Sequence, residues 1–247
     1  MGLFGFGKKS DKSGAPTGKV GRLDKKLMNK WGQTAERQRA MQMLADIGSE
    51  EALSTLLKRF TYRTDGDISD QDEKRLGYEL LLAAGERALG PIEAFITKSD
   101  GVFWPLKALK EIAGMDTAVE LMLRALDRVE GIVGRRNEQK VQLVSNLRDF
   151  PHPLVLERLK GLCSDPDHEV RVMAVDGLMT YGAKEALPVI AERLLDPEES
   201  QAVHAVIFEQ LVDLGWSLEP WREALDEADV LPSHYRFTPK GRVTRAG

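Results

Sequence analysis

The sequence holds a single cysteine, Cys163, which excludes an internal disulfide and a multi-cysteine metal site and suits a reducing compartment. Aromatic residues are scarce at 6%, which favours helices over a β-sandwich. No apolar run approaches the roughly 18–20 residues that a membrane-crossing helix needs. The apolar stretch within residues 1–9 is too short for a secretory signal. These absences make the cytoplasm the expected location. The sequence also lacks a nucleophile-elbow pattern and a glycine-rich phosphate loop at a strand-to-helix turn, so the commonest nucleophile and nucleotide motifs are missing.

What is present is ample apolar material, 42% of 247 residues, enough to bury a large core. The net charge of −4 carries no bias toward nucleic acid, but its distribution is uneven. Residues 1–31 hold eight Lys/Arg against Asp11 and Asp24, and residues 232–247 hold Arg236, Lys240, Arg242 and Arg245 with no acid. These ends carry +6 and +4, which leaves −14 on the stretch between them. Residues 7–18, mostly Gly, Lys, Ser and Asp, cannot bury enough apolar surface to order themselves. The expected organisation is therefore a basic flexible arm over residues 1–31, a folded body over 32–231 and a basic tail over 232–247, with Tyr235 and Phe237 able to dock on the body.

Within the body, apolar residues recur at helical spacing and the breaks carry Gly, Pro or Asp. A Gly-x-x-x-Ala step returns at Gly48/Ala52, Gly90/Ala94, Gly114/Ala118 and Gly182/Ala186. Glycine there can take the left-handed conformation that closes one helix before the next begins. The second half also superposes on itself. Leu156, Leu159, Cys163, Asp165 and Pro166 recur 31 positions later as Leu187, Ile190, Leu194, Asp196 and Pro197. Lys140, Leu143, Leu147 and Phe150 recur at the same offset as Arg171, Ala174, Leu178 and Tyr181, and His204, Ile207, Leu211 and Leu214 follow 33 positions on. Each unit reads as a helix, an Asp-Pro turn, a second helix and a stop.

The run Asp165-Pro-Asp-His-Glu-Val-Arg-Val-Met-Ala-Val-Asp-Gly-Leu resembles the turn and second helix of a HEAT repeat, with Val170 and Arg171 as its Val-Arg pair. Asp165 and Asp167 suit the positive end of the incoming helix, and Arg171 can reach an aspartate of a neighbouring layer. The resemblance runs from about Gln33 to Leu231, is strongest after Glu138, and carries the full motif in one unit only. It implies an all-α fold, a right-handed α-α superhelix of about five helical hairpins with capping helices. The layout is a leading helix over 34–47, hairpins whose first helices begin near Glu50, Pro91, Asp116, Leu154 and Lys184, and a closing helix over 218–228. The connections at 62–70 and 128–136 exceed what a turn requires and are candidate contact sites.

Residues 65–73, rich in Asp, look like a calcium loop, but Asp70 stands where glycine is needed and Leu76 where the bidentate glutamate belongs, so a capped helix entrance is expected instead. His168-Glu169 resembles the His-Glu pairs of deoxyhypusine hydroxylase, which holds iron with several such pairs; this chain has one. Cys163 aligns with Leu194, which says core rather than nucleophile. No metal, cofactor or catalytic residue is expected. Trp104 with Lys107 and Lys110, and Arg135, Arg136 and Gln139 ahead of the next second helix, are the candidate partner-binding residues, because second helices of such hairpins line the concave surface. An aromatic beside cations suits an acidic peptide, or a stacked base; the plainer readings are a layer-filling Trp104 and a solvated arginine pair. Lys140, Asp165, Arg171, Asp196 and His204 are expected to form a charged ladder between layers. Leu3, Phe4 and Phe6 ahead of Lys8 and Lys9 could touch a membrane.

The leading expectation is thus a non-catalytic scaffold that binds another protein or an acidic segment of one. The resemblance leaves open an enzyme or enzyme subunit, since HEAT-like repeats occur in phycobilin lyases and a family of DNA glycosylases, and a membrane adaptor acting through residues 1–9. The acidic body disfavours nucleic acid.

Overall fold

The computed structural model describes residues 18–130 and 137–246. These form an all-α, HEAT-like solenoid chain of helical hairpins with one small β-hairpin near the C-terminus. The chain divides into two compact units, Met1–Ala88 and Leu89–Gly247, where one continuous body over 32–231 was expected.

In the first unit, α1 (Gly18–Leu27) packs on α2 (Thr34–Ile47) and α3 (Glu50–Leu57), and α4 (Asp67–Ala84) packs on α2. The expectation of a flexible arm through residue 31 is corrected here. Val20, Leu23 and Leu27 recur at helical spacing and are buried, so α1 has an apolar stripe that the lysine-rich composition masks. α2 ends at Gly48, whose φ of 62° is left-handed and whose amide donates to the Leu44 carbonyl at 3.1 Å. Ser49 then caps α3, its hydroxyl accepting from the Ala52 amide at 3.2 Å. The long loop expected at 62–70 is shorter, because α4 already begins at Asp67.

In the second unit, α5 (Leu89–Ile96) is followed by α6 (Phe103–Val129), a pair of helices joined at Gly114, where φ is 80° and ψ 170°. The expected stop at Gly90 is not one: Gly90 lies inside α5 and the preceding break is at Gly85, with φ 59°. Next come α7 (Glu138–Leu147), α8 (Pro153–Leu162), α9 (His168–Thr180), α10 (Leu187–Leu195), α11 (Gln201–Leu214) and α12 (Arg222–Glu227). α9 packs against α7, α8 and α11, so the buried faces of successive hairpins share one core. Leu159, Cys163, Leu178, Ile190, Leu194, Ile207 and Leu211, matched by the internal repeat, are all buried there.

The tail expected at 232–247 is folded as far as residue 246. β1 (Tyr235–Phe237) pairs antiparallel with β2 (Val243–Arg245), and the hairpin lies on α11, with the Tyr235 ring 5.7 Å from that of Phe208. Val243 is buried, Arg222 stacks on Phe237 with its guanidinium carbon 4.3 Å from the ring centroid, and Leu218 donates to the Gly241 carbonyl at 2.8 Å. Three apolar side chains and a few backbone bonds suffice to anchor a segment whose composition reads as a tail.

Candidate docking site

The partner-binding residues named from the sequence fall in two places. Trp104, Lys107 and Lys110 lie on the first two turns of α6, and Gln139 is half-buried on α7. Arg135 and Arg136 lie outside the described residues, as do residues 1–9. Phe103 and Trp104 meet edge to face with centroids 5.4 Å apart, and the Lys107 ammonium lies 5.4 Å from the Trp104 ring centroid. Lys110 lies 5.5 Å from the Phe150 centroid and donates to the Asp149 carbonyl at 3.1 Å. Between α6 and the end of α7 lies a groove of about 220 Å³, floored by Leu106 and Phe150 and edged by Lys107, Lys110, Asn146 and Asp149; Trp104 stands beside it and does not line it. Phe103, 52% exposed, stands at its rim. Sequence reasoning missed Phe103 and Phe150 as groove residues, because neither periodicity nor repeat alignment says which apolar side chains come together to line a groove.

The expected charged ladder is partly redrawn. Lys140 is buried and its ammonium binds the Asp165 carboxylate. Arg171 does not reach Asp196. Its guanidinium binds Glu199 at 2.7 Å and the Asp165 carbonyl at 2.8 Å. Glu199 raises the Arg171 pKa, and Arg171 in turn overcomes burial to hold the Glu199 carboxyl below its ordinary value. Asp196 binds Arg193 at 3.1 Å, and His204 Nε2 lies 3.3 Å from the Arg193 carbonyl. The aspartate missed the rung because Lys140 reaches 25 residues along the chain to Asp165 whereas the Arg171 fork seats on a carboxylate 28 residues along. At the matching position of the preceding repeat stands His168, so the alignment held no sign of Glu199. Asp167, not Asp165, caps α9, accepting from the Glu169 amide at 2.8 Å.

The most buried charges lie in the first unit and were not foreseen. Glu73 and Arg59 are fully buried, Asp70 and Arg37 nearly so. Glu73 accepts from Arg37 and from Arg59, each at 2.7 Å, and Asp70 accepts from Arg59 and is ion-paired with Lys74, each at 2.7 Å. The same Arg37 donates to the carbonyls of Asn29, Lys30 and Gly32, and the Tyr62 hydroxyl to that of Leu27, so the cluster ties down the turn after α1. The acidic run that resembled a calcium loop is thereby explained: two of its carboxylates point inward to arginines. Among the described residues no group of three or more His, Cys, Asp or Glu could hold a metal ion.

Burial opposes ionisation of Asp70, but hydrogen bonds from Lys74, Arg59 and the Thr64 amide outweigh it and lower its pKa from 3.8 to about 2. Because the folded value lies below the unfolded one, the stabilisation is complete above about pH 5 and is lost as pH falls toward 2. It amounts to about 2 kcal/mol. Acid titration of stability should therefore show Asp70→Asn flattened between pH 5 and 2 relative to the intact chain; parallel curves would contradict the assignment. Cys163 is of the opposite kind, since burial pushes its thiol up to about 12 and leaves it a core side chain.

Packed antiparallel helices whose inner faces share a core, joined by short turns with glycine stops, define an α-solenoid of helical repeats. Residues 135–209 match the family model of HEAT repeats. No curated protein matches the sequence. No helix among the described residues is long and apolar enough to cross a membrane.

Proposed function

We propose that the protein is a cytoplasmic, non-catalytic scaffold that holds an acidic, partly apolar segment of another protein in the groove between α6 and α7. HEAT repeats commonly mediate protein–protein interaction, because stacking creates a long surface without requiring an enclosed pocket. The observation that carries the reading is a half-exposed Phe103 at the rim of the groove, with Lys107 and Lys110 beside an apolar floor. An apolar side chain of the segment fills the 220 Å³ groove, and its flanking carboxylates meet the two ammonium groups.

Crosslinked affinity purification from the native cell, run in parallel for the intact chain and for Phe103→Asp with Lys110→Glu, tests this. One protein should be enriched by the intact chain and lost at least roughly tenfold by the variant, as expected when an anchor and a charge are both removed. Binding of that purified protein to each form should then reproduce the loss, with circular dichroism showing both folded. Unchanged enrichment, or enrichment of nucleic acid or a tetrapyrrole pigment, overturns the scaffold reading.

A further inference from the structure

The outer face of α1 and the turn that follows it present a cationic surface beside exposed apolar side chains; within the unit Lys30 lies 5.5 Å from the Tyr62 ring centroid and Arg22 donates to the Gly18 carbonyl. With Val20, Leu23 and Leu27 turned into the core, the opposite face carries Lys19, Arg22, Lys25 and Lys26, all exposed, and Lys30 follows in the turn. None of these five forms an ion pair with a described residue. The one acid of the helix, Asp24, is engaged by Lys58 at 2.9 Å. Beside this cationic face stand Met28, 37% exposed, and Trp31, 85% exposed.

A tryptophan left almost wholly in water forgoes the burial of one of the largest apolar side chains, and here it is not on a loose loop. Its turn is held from within: Arg37 donates to the carbonyls of Asn29, Lys30 and Gly32 on either side of it, and Arg37 is itself locked on Glu73. The Tyr62 hydroxyl secures the last turn of α1 through the Leu27 carbonyl. The buried charge cluster thus acts as a clamp on the backbone that bears Trp31, which lowers the ordering cost of docking it.

We infer that the outer face of α1 with Met28 and Trp31 docks on an anionic lipid bilayer. The chemistry matches in both parts. A row of exposed cations is drawn to a negatively charged surface, and an indole is the side chain that settles best at the level of the headgroups, with a thioether beside it able to enter the acyl boundary. A helix lying on its side offers its whole outer face to a plane, whereas single-stranded nucleic acid is taken in a basic groove lined with aromatic platforms. Met28 has no use in base stacking. An acidic protein segment would not call for an indole standing clear of any concavity. The face belongs to the first unit and the groove to the second, and the inference does not rest on the scaffold reading.

The full chain is tested by co-sedimentation with vesicles of phosphatidylcholine alone and of phosphatidylcholine with 30% phosphatidylglycerol. Binding should require the anionic lipid and weaken as salt rises. Lys25→Gln with Lys26→Gln should lower partitioning roughly 30-fold, the factor set by the attraction of two lysines to such a surface, and Trp31→Ala roughly tenfold. All of these side chains are exposed, so thermal unfolding should be unchanged and the variants remain interpretable. Phe4→Ser with Phe6→Ser in the full chain separates this face from residues 1–9. The inference is overturned if the intact chain ignores anionic vesicles, if only the Phe4/Phe6 variant loses binding, or if heparin or duplex DNA competes while Trp31→Ala has no effect.

Discussion

Glu73→Ala should destabilise the first unit by about 3–5 kcal/mol, the cost of leaving buried charges without their counter-ion. Glu73 is fully buried and serves two arginines, so its removal strands Arg37 and Arg59 together. Arg59 retains Asp70 at 2.7 Å and the Tyr62 carbonyl at 3.1 Å, but Arg37 keeps only the carbonyls of the turn after α1 and the Thr34 hydroxyl. Water cannot replace the lost carboxylate without entering the core. Hydrogen exchange followed by mass spectrometry should show residues 34–84 opening much faster in the variant, and urea denaturation should show a lower midpoint for that unit. Because Arg37 also fixes the turn bearing Trp31, residues 28–33 should lose protection with it. Glu73→Gln, which keeps one acceptor oxygen, should fall between the two. A loss below about 1 kcal/mol would mean that the cluster is solvated in solution like an ordinary surface pair.

The second large effect is expected at Glu199 in the other unit. Glu199→Ala should cost about 2–4 kcal/mol, whereas Asp196→Ala should cost less than about 1 kcal/mol. Glu199 has a fully buried side chain that accepts from Arg171 at 2.7 Å and lies 3.5 Å from Arg193, and it also accepts from the Ser200 amide at 2.7 Å. Asp196 is about one-third exposed and holds one arginine. The effect at Glu199 is set below that at Glu73 because Arg171 and Arg193 retain 13% and 11% exposure and can draw on water. Thermal unfolding of the two variants measures the contrast directly. Equal losses would restore the aspartate ladder that the repeat alignment implies, in which Asp196 occupies the place of Asp165.

Both networks show where reading the chain stops. A 31-residue offset matches Asp196 to Asp165, and the two side chains make the same local bond, each accepting from the amide two residues on at 3.0 Å. Which carboxylate an arginine takes is decided by side-chain length and the direction of approach, and these select Glu199. Likewise α2 runs over Thr34–Ile47 as the spacing of its apolar residues and Gly48 predict, because a local period and a local stop need no tertiary information. Gly90 failed as a stop for the converse reason: glycine marks a possible left-handed residue, and packing put the break at Gly85 instead.

What the sequence by itself determined is the class of fold and its register. Apolar residues at helical spacing must be buried on one side, and a repeat that aligns those positions with its turns makes neighbouring hairpins stack on one another. Only the tertiary structure decided which exceptions to that pattern matter: that Arg37, Arg59, Asp70 and Glu73 are inside, that Phe103 and Trp31 are outside, and that residues 18–27 and 235–245 belong to folded units rather than to tails. The physical reason is that burial of a charge or exposure of an aromatic depends on partners distant in the chain, which a period along the sequence does not encode.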